Sequence, residues 1–366
     1  MKKGFWYLAF FKTILLVLVF ILQRNSSFSQ SSEKSVIVDM VFYNVENLFD
    51  TWDDTLKADE EFLPWGDKHW SIKRYNDKIN KLYKTIVAAG GWDSPVLIGL
   101  CEVENKKVLN DLIYDTPLSK LEYRFEHFES PDRRGIDVAL LYDQQIFKPV
   151  FAEPISVDFP NDTMYVTRDI LYVKGIFYHS KDTIHLFVNH WPSRRGGQLE
   201  SEPRRIQAAR VLRAKVDSII LLSPNQGIVI MGDFNDQPEN KSLLKVLNAR
   251  LNYEETDSCS LYNLHGISEN EAGSYKYRGI WDKFDQIIVS GNMLGTQSKT
   301  KVDLPTFVIF NLEFLLIEDE KYLGNKPFAT YAGFKYLGGF SDHLPVKVSL
   351  LLSNPESVPG KSRKTN

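Results

Sequence analysis

Cysteine is nearly absent, with Cys101 and Cys259 the only two in 366 residues. That excludes a disulfide-built scaffold and a four-cysteine zinc centre. Cys101 lies inside the apolar run Val96–Cys101, where a buried strand residue is expected, so no bridge is expected either. Other signatures are missing too. No GxxxxGK(S/T) or GxGxxG segment is present, which removes P-loop phosphoryl transfer and dinucleotide chemistry. There is no GxSxG elbow for a serine nucleophile and no HExxH helix for a zinc peptidase. Nor is there an excess of basic charge: 44 Lys and Arg face 47 Asp and Glu, a net charge of −3. Non-specific coating of nucleic acid or anionic membrane needs the opposite balance, so any polyanionic substrate must be held by a local basic patch or a metal.

The one long apolar run is at the start. Lys2 and Lys3 precede an apolar stretch from Phe5 to Leu22 interrupted by Lys12, and small residues gather at Ser26, Ser27 and Ser29. A basic start, an apolar core from Thr13 to Leu22 and a small-x-small site read as a secretory signal peptide over residues 1–29. An uncleaved N-terminal membrane anchor is the competing reading, because Phe5–Leu22 is nearly long enough to span a bilayer. Cleavage would remove Lys2, Lys3, Lys12 and Arg24 and no acid, taking the net charge from −3 to −7. The mature protein is then expected outside the cytoplasm, secreted or periplasmic.

From Val36 onward there is no long linker, low-complexity tract or repeat. A short apolar run followed at once by polar residues recurs instead: Val36–Tyr43, Val96–Cys101, His185–Val188 and Ile228–Met231. Their length and Val/Ile/Phe content predict buried strands. The spacing predicts helices over Asn76–Ala89 and Arg204–Leu222, the second with Ile206, Ala209, Leu212, Val216 and Ile219 on one face. The fold class is α/β, two packed sheets covered by helices, in one domain from about residue 36 to 352, with a polar tail over 353–366.

Chemistry collects at the strand ends. FYNVENLFD supplies Asn44 and Glu46, and LIGLCEVEN supplies Glu102 and Glu104. FVNHWPSRRGG supplies Asn189, His190, Arg194 and Arg195, and MGDFNDQP supplies Asp233, Asn235 and Asp236. FDQIIVS supplies Asp285, and GFSDHLPV supplies Asp342 and His343. Any one of these could be a loop cap. Six such sites in one chain fit a cation-dependent centre better, because carboxylates at the ends of apolar strands are costly unless paired or bound to a cation. Hard oxygen donors without a usable thiol suit Mg²⁺, with Mn²⁺ or Ca²⁺ as alternatives. What remains is metal-assisted hydrolysis by water.

The ordered set NVEN, a Glu after a strand, NHW, GDFND, FDQ and SDHLP resembles the endonuclease/exonuclease/phosphatase superfamily across nearly the whole mature chain. The resemblance implies a four-layer α/β sandwich, two mixed sheets face to face with helices outside. It implies Glu102 as the principal metal ligand, with Asn44, Glu46 and Asp342 completing or supporting the site. It implies that His343, paired with Asp285, binds or protonates the phosphoryl group or positions water, that Asp233 orients or deprotonates the water, and that Asn235 holds the phosphate. His190 stands where relatives touch the scissile phosphate. Glu46 replaces the Asp of several DNA-cleaving members, which weakens its claim to direct metal contact. His190 in place of Tyr turns the resemblance away from abasic-site repair.

Arg194 and Arg195, before Gly196 and Gly197, are a phosphate clamp or a solvated loop; Arg168 is a phosphate contact or a strand-edge partner of Asp169; Asn189 is a substrate-binding candidate. Arg204, Arg205, Arg210 and Arg213 read as a solvated helix face. Trp52, Trp65 and Trp70 read as packing under a loop, Thr306–Ile317 as a core strand or helix, and His69, His127, His179, His185 and His265 as ordinary histidines. The expected protein is a secreted, monomeric, Mg²⁺-dependent phosphodiesterase cleaving DNA or RNA. A phosphatase or phospholipase-like hydrolase of small or lipid phosphoesters is the alternative within the enzyme class, and a catalytically silent binding protein is the alternative outside it.

Overall fold

Alternation of apolar side chains along the strands determines the layering. The computed structural model describes residues 35–252, 257–267, 273–295 and 298–354. The expected signal peptide 1–29 and all of the tail beyond Asn354 lie outside them. In chain order the strands are β1 (Val36–Leu48), β2 (Leu97–Val103), β3 (Tyr123–His127), β4 (Asp137–Asp143), β5 (Phe147–Ile155), β6 (Ile170–Phe177), β7 (Thr183–His190), β8 (Gly227–Asp233), β9 (Ala249–Arg250) and β10 (Leu261–Asn263). There follow β11 (Tyr275–Tyr277), β12 (Ile280–Asp282), β13 (Asp285–Ser290), β14 (Thr300–Ile309), β15 (Leu316–Glu318), β16 (Asn325–Pro327), β17 (Tyr331–Ala332), β18 (Lys335–Tyr336) and β19 (Val346–Leu352). The long helices are α1 (Ile72–Gly90), α2 (Lys106–Tyr114) and α3 (Gln198–Leu222).

Six strands pair in the order β14-β19-β1-β2-β4-β3 and seven in the order β5-β6-β7-β8-β13-β10-β9. In β1, Met40 and Phe42 face the other sheet, where they join Leu171, Val173, Leu186, Val188, Val229 and Met231 in a core between the sheets. Val41, Tyr43 and Val45, one residue out of phase, face outward onto Ile79, Leu82 and Ile86 of α1 and Val108, Leu109 and Leu112 of α2. On the second sheet Phe187, Ile228 and Ile230 face outward onto Ala209, Leu212, Val216 and Ile219 of α3. A strand apolar on both faces must be covered on both, and helix, sheet, sheet, helix is the result. This is the four-layer α/β sandwich expected.

Boundaries moved where capping decides them. α1 starts four residues before Asn76, because the Ser71 side chain accepts the Arg74 N–H. α3 starts at Gln198 rather than after Pro203, because Gly196 and Gly197 turn the chain at φ 88° and 127°. Pro203, the sixth residue of the helix, stands inside it and lacks the N–H that would bond the Leu199 carbonyl. Thr306–Ile317 is split between β14 and β15.

Each sheet carries a parallel pair at its centre, β1 with β2 and β7 with β8. Parallel neighbours end at the same edge, so Asn44, Glu102, His190 and Asp233 leave the sandwich together. β13 and β19 run antiparallel to β8 and β1, which brings Asp285 opposite Asp233 and sets Asp342 and His343 just before β19 at that edge. Gly175 in β6 lies under the buried Phe147 ring, and a β-carbon there would meet it at 2.1 Å. We expect Gly175→Ala to destabilise by about 1–3 kcal/mol through overpacking, seen as a lower urea midpoint at unchanged slope.

Candidate active site

The strand ends are not regular. Pairing of β1 with β2 shifts register between Asn44 and Leu48, and pairing of β2 with β4 shifts between Cys101 and Val103. Glu46 (φ 49°), Asn47 (52°), Glu102 (63°) and Asn235 (51°) all take the left-handed backbone region. Such a conformation is uncommon for residues other than glycine and costs of order 1–3 kcal/mol each. Here the bulges break the side-chain alternation where it would have buried Glu102 against a sheet face.

Asn44 is the strut at the centre. Its Nδ2 donates to Asp233 Oδ2 at 3.0 Å and to Glu102 Oε1 at 3.4 Å, while its Oδ1 accepts the Glu46 N–H. The Asn47 N–H donates to Glu102 Oε2 at 2.8 Å. Opposite, His343 Nδ1 is 2.6 Å from Asp285 Oδ2, and its Nε2 is 3.9 Å from Asp233 Oδ2. Ser274 Oγ also donates to Asp285 Oδ2, and Tyr275 packs on the His343 ring at 4.7 Å. His190 Nε2 lies 3.8 Å from Glu102 Oε1 and 3.7 Å from Asp233 Oδ2, and its buried Nδ1 has no partner. The Asn235 N–H donates to Asp233 Oδ1, and its side-chain Nδ2 donates to the Trp191 carbonyl at 3.1 Å, leaving one amide hydrogen over.

Charge follows from enclosure. Burial pushes Asp342 up to about 8, with Glu46 and Glu102 adding to the effect and His343 and Lys78 opposing it. Burial likewise raises Asp233 to about 6, against the pull of His343. Burial alone would lower His343, but Asp285, by charge and by hydrogen bond, and then Asp233 hold it well above the ordinary histidine range, so it stays an imidazolium at neutral pH. His190 is driven well below that range by burial and by the charges of Arg168 and Arg134, and stays neutral. The ligand atoms of Asp233, Asp285 and His343 lie within 4.8 Å of one another, yet the imidazolium proton on Nδ1 already serves Asp285 there. Glu102 and Asp342 lack such a partner. Two hard carboxylates facing one cleft, with no side-chain cation among the described residues ion-paired to either, fit a divalent ion.

The cleft encloses about 730 Å³ and is lined by Glu102, His190, Asp233, Asn235, Asp342 and His343 from the motif set. Asp285 reaches it through His343. Glu46 supports rather than faces it: its carboxylate accepts the Thr330 N–H at 2.6 Å and the Tyr331 N–H at 3.1 Å, beside Lys78 at 3.9 Å. Asn189 is a correction. It is fully buried, with Nδ2 donating to the Met231 carbonyl and Oδ1 accepting from Trp191 Nε1, so it holds the strand end and cannot meet substrate. Arg168 is tied to Asp132 at 3.2 Å and to the Trp191 carbonyl at 2.7 Å, rather than to Asp169 or the cleft surface. Arg194 lines the cleft but is spent on the Asn235 carbonyl and Asn240, over the Phe284 ring; Arg195 lines it and is exposed. Arg205, read as solvated, is 0% exposed and pairs with Asp236 at 2.8 Å. Of the three tryptophans only Trp70 is buried; Trp52 and Trp65 are exposed. Arg134, Tyr275, Tyr277, Asp282 and Phe284 line the cleft without having been singled out in the sequence. An Arg before Gly in RRG, and aromatic residues around GSYKY, were the only signals.

The model of the Endonuclease/Exonuclease/phosphatase family matches residues 39–351, and the chain belongs to that family. It is a metal-dependent phosphoric ester hydrolase. No curated protein matches the sequence. Among solved structures it is similar to a family protein of Bacteroides thetaiotaomicron (14% identity, TM-score 0.55, covering 88% of this chain and 97% of that one). It is also similar to the B. thetaiotaomicron mannosyl-6-phosphatase (14%, 0.52, 86% and 99%) and to D. rerio TDP2 complexed with a single-strand DNA product (16%, 0.51, 86% and 98%). At those identities the likeness is one of fold.

One pH effect follows from the carboxylates. With Asp342 raised to about 8, the cation-free site holds a proton at neutral pH that a bound ion must displace. Divalent-cation affinity should therefore rise from about pH 6 to about pH 8 and level off above. Calorimetric titrations in buffers of different ionisation enthalpy should register proton release near neutrality. Equal affinity at both ends of that range would remove Asp342 from the ligand set.

Proposed function

We propose that the protein is a secreted, Mg²⁺-dependent phosphodiesterase that hydrolyses nucleic acid by in-line attack of water. The observation that carries the reading is the lining of one cleft by two unlike sets of groups. Glu102, Asp342, Asp233 and His343 make one, and exposed Arg195, half-exposed Arg134 and exposed Tyr277, with Tyr275 packed on the His343 ring, make the other. Basic and aromatic groups beside a phosphoester site suit a strand whose phosphates are paired and whose bases stack. The basic start and apolar core of residues 1–29 support the export part of the reading.

Glu102 and Asp342 would hold the ion, braced by Asn44 and Glu46; when bound it supplies positive charge to the non-bridging phosphate oxygens. The remaining work belongs to the chain. Asp233, raised to about 6 by burial, is a carboxylate at neutral pH able to accept the proton of the attacking water, and the Asn235 N–H keeps it oriented. The free amide hydrogen of Asn235 and the neutral His190 imidazole donate to phosphate oxygens. The His343 imidazolium, held by Asp285, stabilises charge on the phosphoryl group. Arg168 binds no substrate in this scheme; it fixes the Trp191 carbonyl that positions Asn235.

The second reading is a small phosphoester as substrate. The mature charge of −7 favours a small or locally gripped molecule, and a mannosyl-6-phosphatase shares the fold. Residues 30–366 assayed with plasmid DNA, RNA and bis-p-nitrophenyl phosphate separate the two. Asp233→Ala or His343→Ala should reduce turnover by about 10²–10⁴-fold, the usual share of a general acid or base, and unimpaired variants would overturn the roles. With nucleic acid as substrate, KM should climb steeply with salt; a flat response with turnover of the small diester alone would favour the second reading.

A further inference from the structure

A second group of ligand-type side chains lies outside the cleft. His127 ends β3, Asp137 opens β4, and Glu129 stands two residues into the connection between them. One ligand atom from each lies within 4.8 Å of the others. His127 is 4% exposed and Asp137 1%. His127 Nε2 is 3.3 Å from Asp137 Oδ2, yet neither atom, nor His127 Nδ1, has a hydrogen-bond partner among the described residues. The other oxygen of Asp137 accepts the Ser130 N–H at 3.0 Å. A buried imidazole and a buried carboxylate oxygen without hydrogen-bond partners, with the Glu129 carboxyl beside them, are costly as they stand. Lys57 is near, but its ammonium donates to the carbonyls of Ser130 and Asp132.

We propose that His127, Glu129 and Asp137 form a second divalent-cation site. One imidazole nitrogen with two carboxylates suits a first-row ion, Zn²⁺ foremost and Mn²⁺ more weakly, better than Mg²⁺. A cavity of about 10 Å³ against Asp137, also lined by Ser130 and Asp169, has room for a water as a further ligand. The buried Asp169 Oδ1 has no partner either and can receive that water's hydrogen. Exposed Glu129 gives the ion its way in. The consequence reaches the cleft. The connection that this ion would close carries Asp132, the partner of Arg168, and Arg134, part of the cleft wall. The ion would therefore hold the frame on which Trp191 and Asn235 are set.

Counting bound Mn²⁺ by electron paramagnetic resonance tests this with the mature protein and Mn²⁺ alone. The unaltered protein should bind two ions, Glu102→Ala one, and Glu129→Gln one; Glu102→Ala with Glu129→Gln should bind none. Zn²⁺ should displace the ion that survives in Glu102→Ala, and Mn²⁺ should still raise the melting temperature of that variant. Glu129→Gln changes an exposed side chain and should leave the fold intact, while weakening the second ion by at least the roughly 10–100-fold that losing an outer-shell partner costs. Asp137→Asn, nearly the same shape, should do the same. Two ions bound unchanged in both Glu129→Gln and Asp137→Asn would overturn the proposal, as would none in Glu102→Ala. Two ions retained in Glu102→Ala would instead count against Glu102 as an active-site ligand and leave this site standing.

Discussion

Glu102, Asp233, Asp285 and Asp342 are brought to one edge of the sandwich, where the buried cations acting on them are His343 and Lys78. That crowding of like charge is what the surrounding structure is organised to bear. Asp285 is held at Oδ2 by His343 and Ser274, and Asp233 by Asn44 and the Asn235 N–H. Glu46 lies on two backbone N–H groups beside Lys78. Glu102 and Asp342 are left facing the cleft, Asp342 holding a proton at neutral pH that a cation would displace. In an enclosed site an unpaired carboxylate either takes a proton or finds a cation, and a phosphoester hydrolase uses the second outcome.

The same crowding accounts for the local backbone. Four non-glycine residues in left-handed conformations cluster at Glu46, Asn47, Glu102 and Asn235. Glu46, Asn47 and Glu102 lie where the pairing of β1 with β2 and of β2 with β4 shifts register, and Asn235 lies just beyond the end of β8. The rigid part of the sandwich bears the strain: between the sheets Phe42, Val188, Val229 and Met231 are fully buried. Well-packed strands on both sides of a bulge leave its dihedrals little freedom, so the carboxylates are held ready rather than gathered on binding.

The strand-end residues were legible because their signal is local: an apolar run, then Asn, Asp, Glu or His, six times over. Two sheets were legible from runs apolar on both faces, and convergence from the parallel pairs those runs imply. What could not be read is whatever depends on partners far along the chain. Asn189 and His190 are adjacent in sequence, and strand alternation sends one to the cleft and the other to Met231 and Trp191. Arg205 looked solvated because its ion-pair partner Asp236 comes from the β8 end rather than from its own helix. Arg134 and Tyr275 carried no motif, yet they line the cleft because β4 and β11 begin there. His127 looked ordinary for the same reason, since nothing in its neighbourhood announces Asp137.

The most direct test of the account is the position of a metal ion in the cleft. Crystals of residues 30–366 soaked in Mn²⁺ and measured at the manganese absorption edge should show an anomalous peak between Glu102 and Asp342, with His343 still bonded to Asp285. A peak instead among Asp233, Asp285 and His343, or none within reach of Glu102, would contradict the division of this site into a cation half and an imidazolium half.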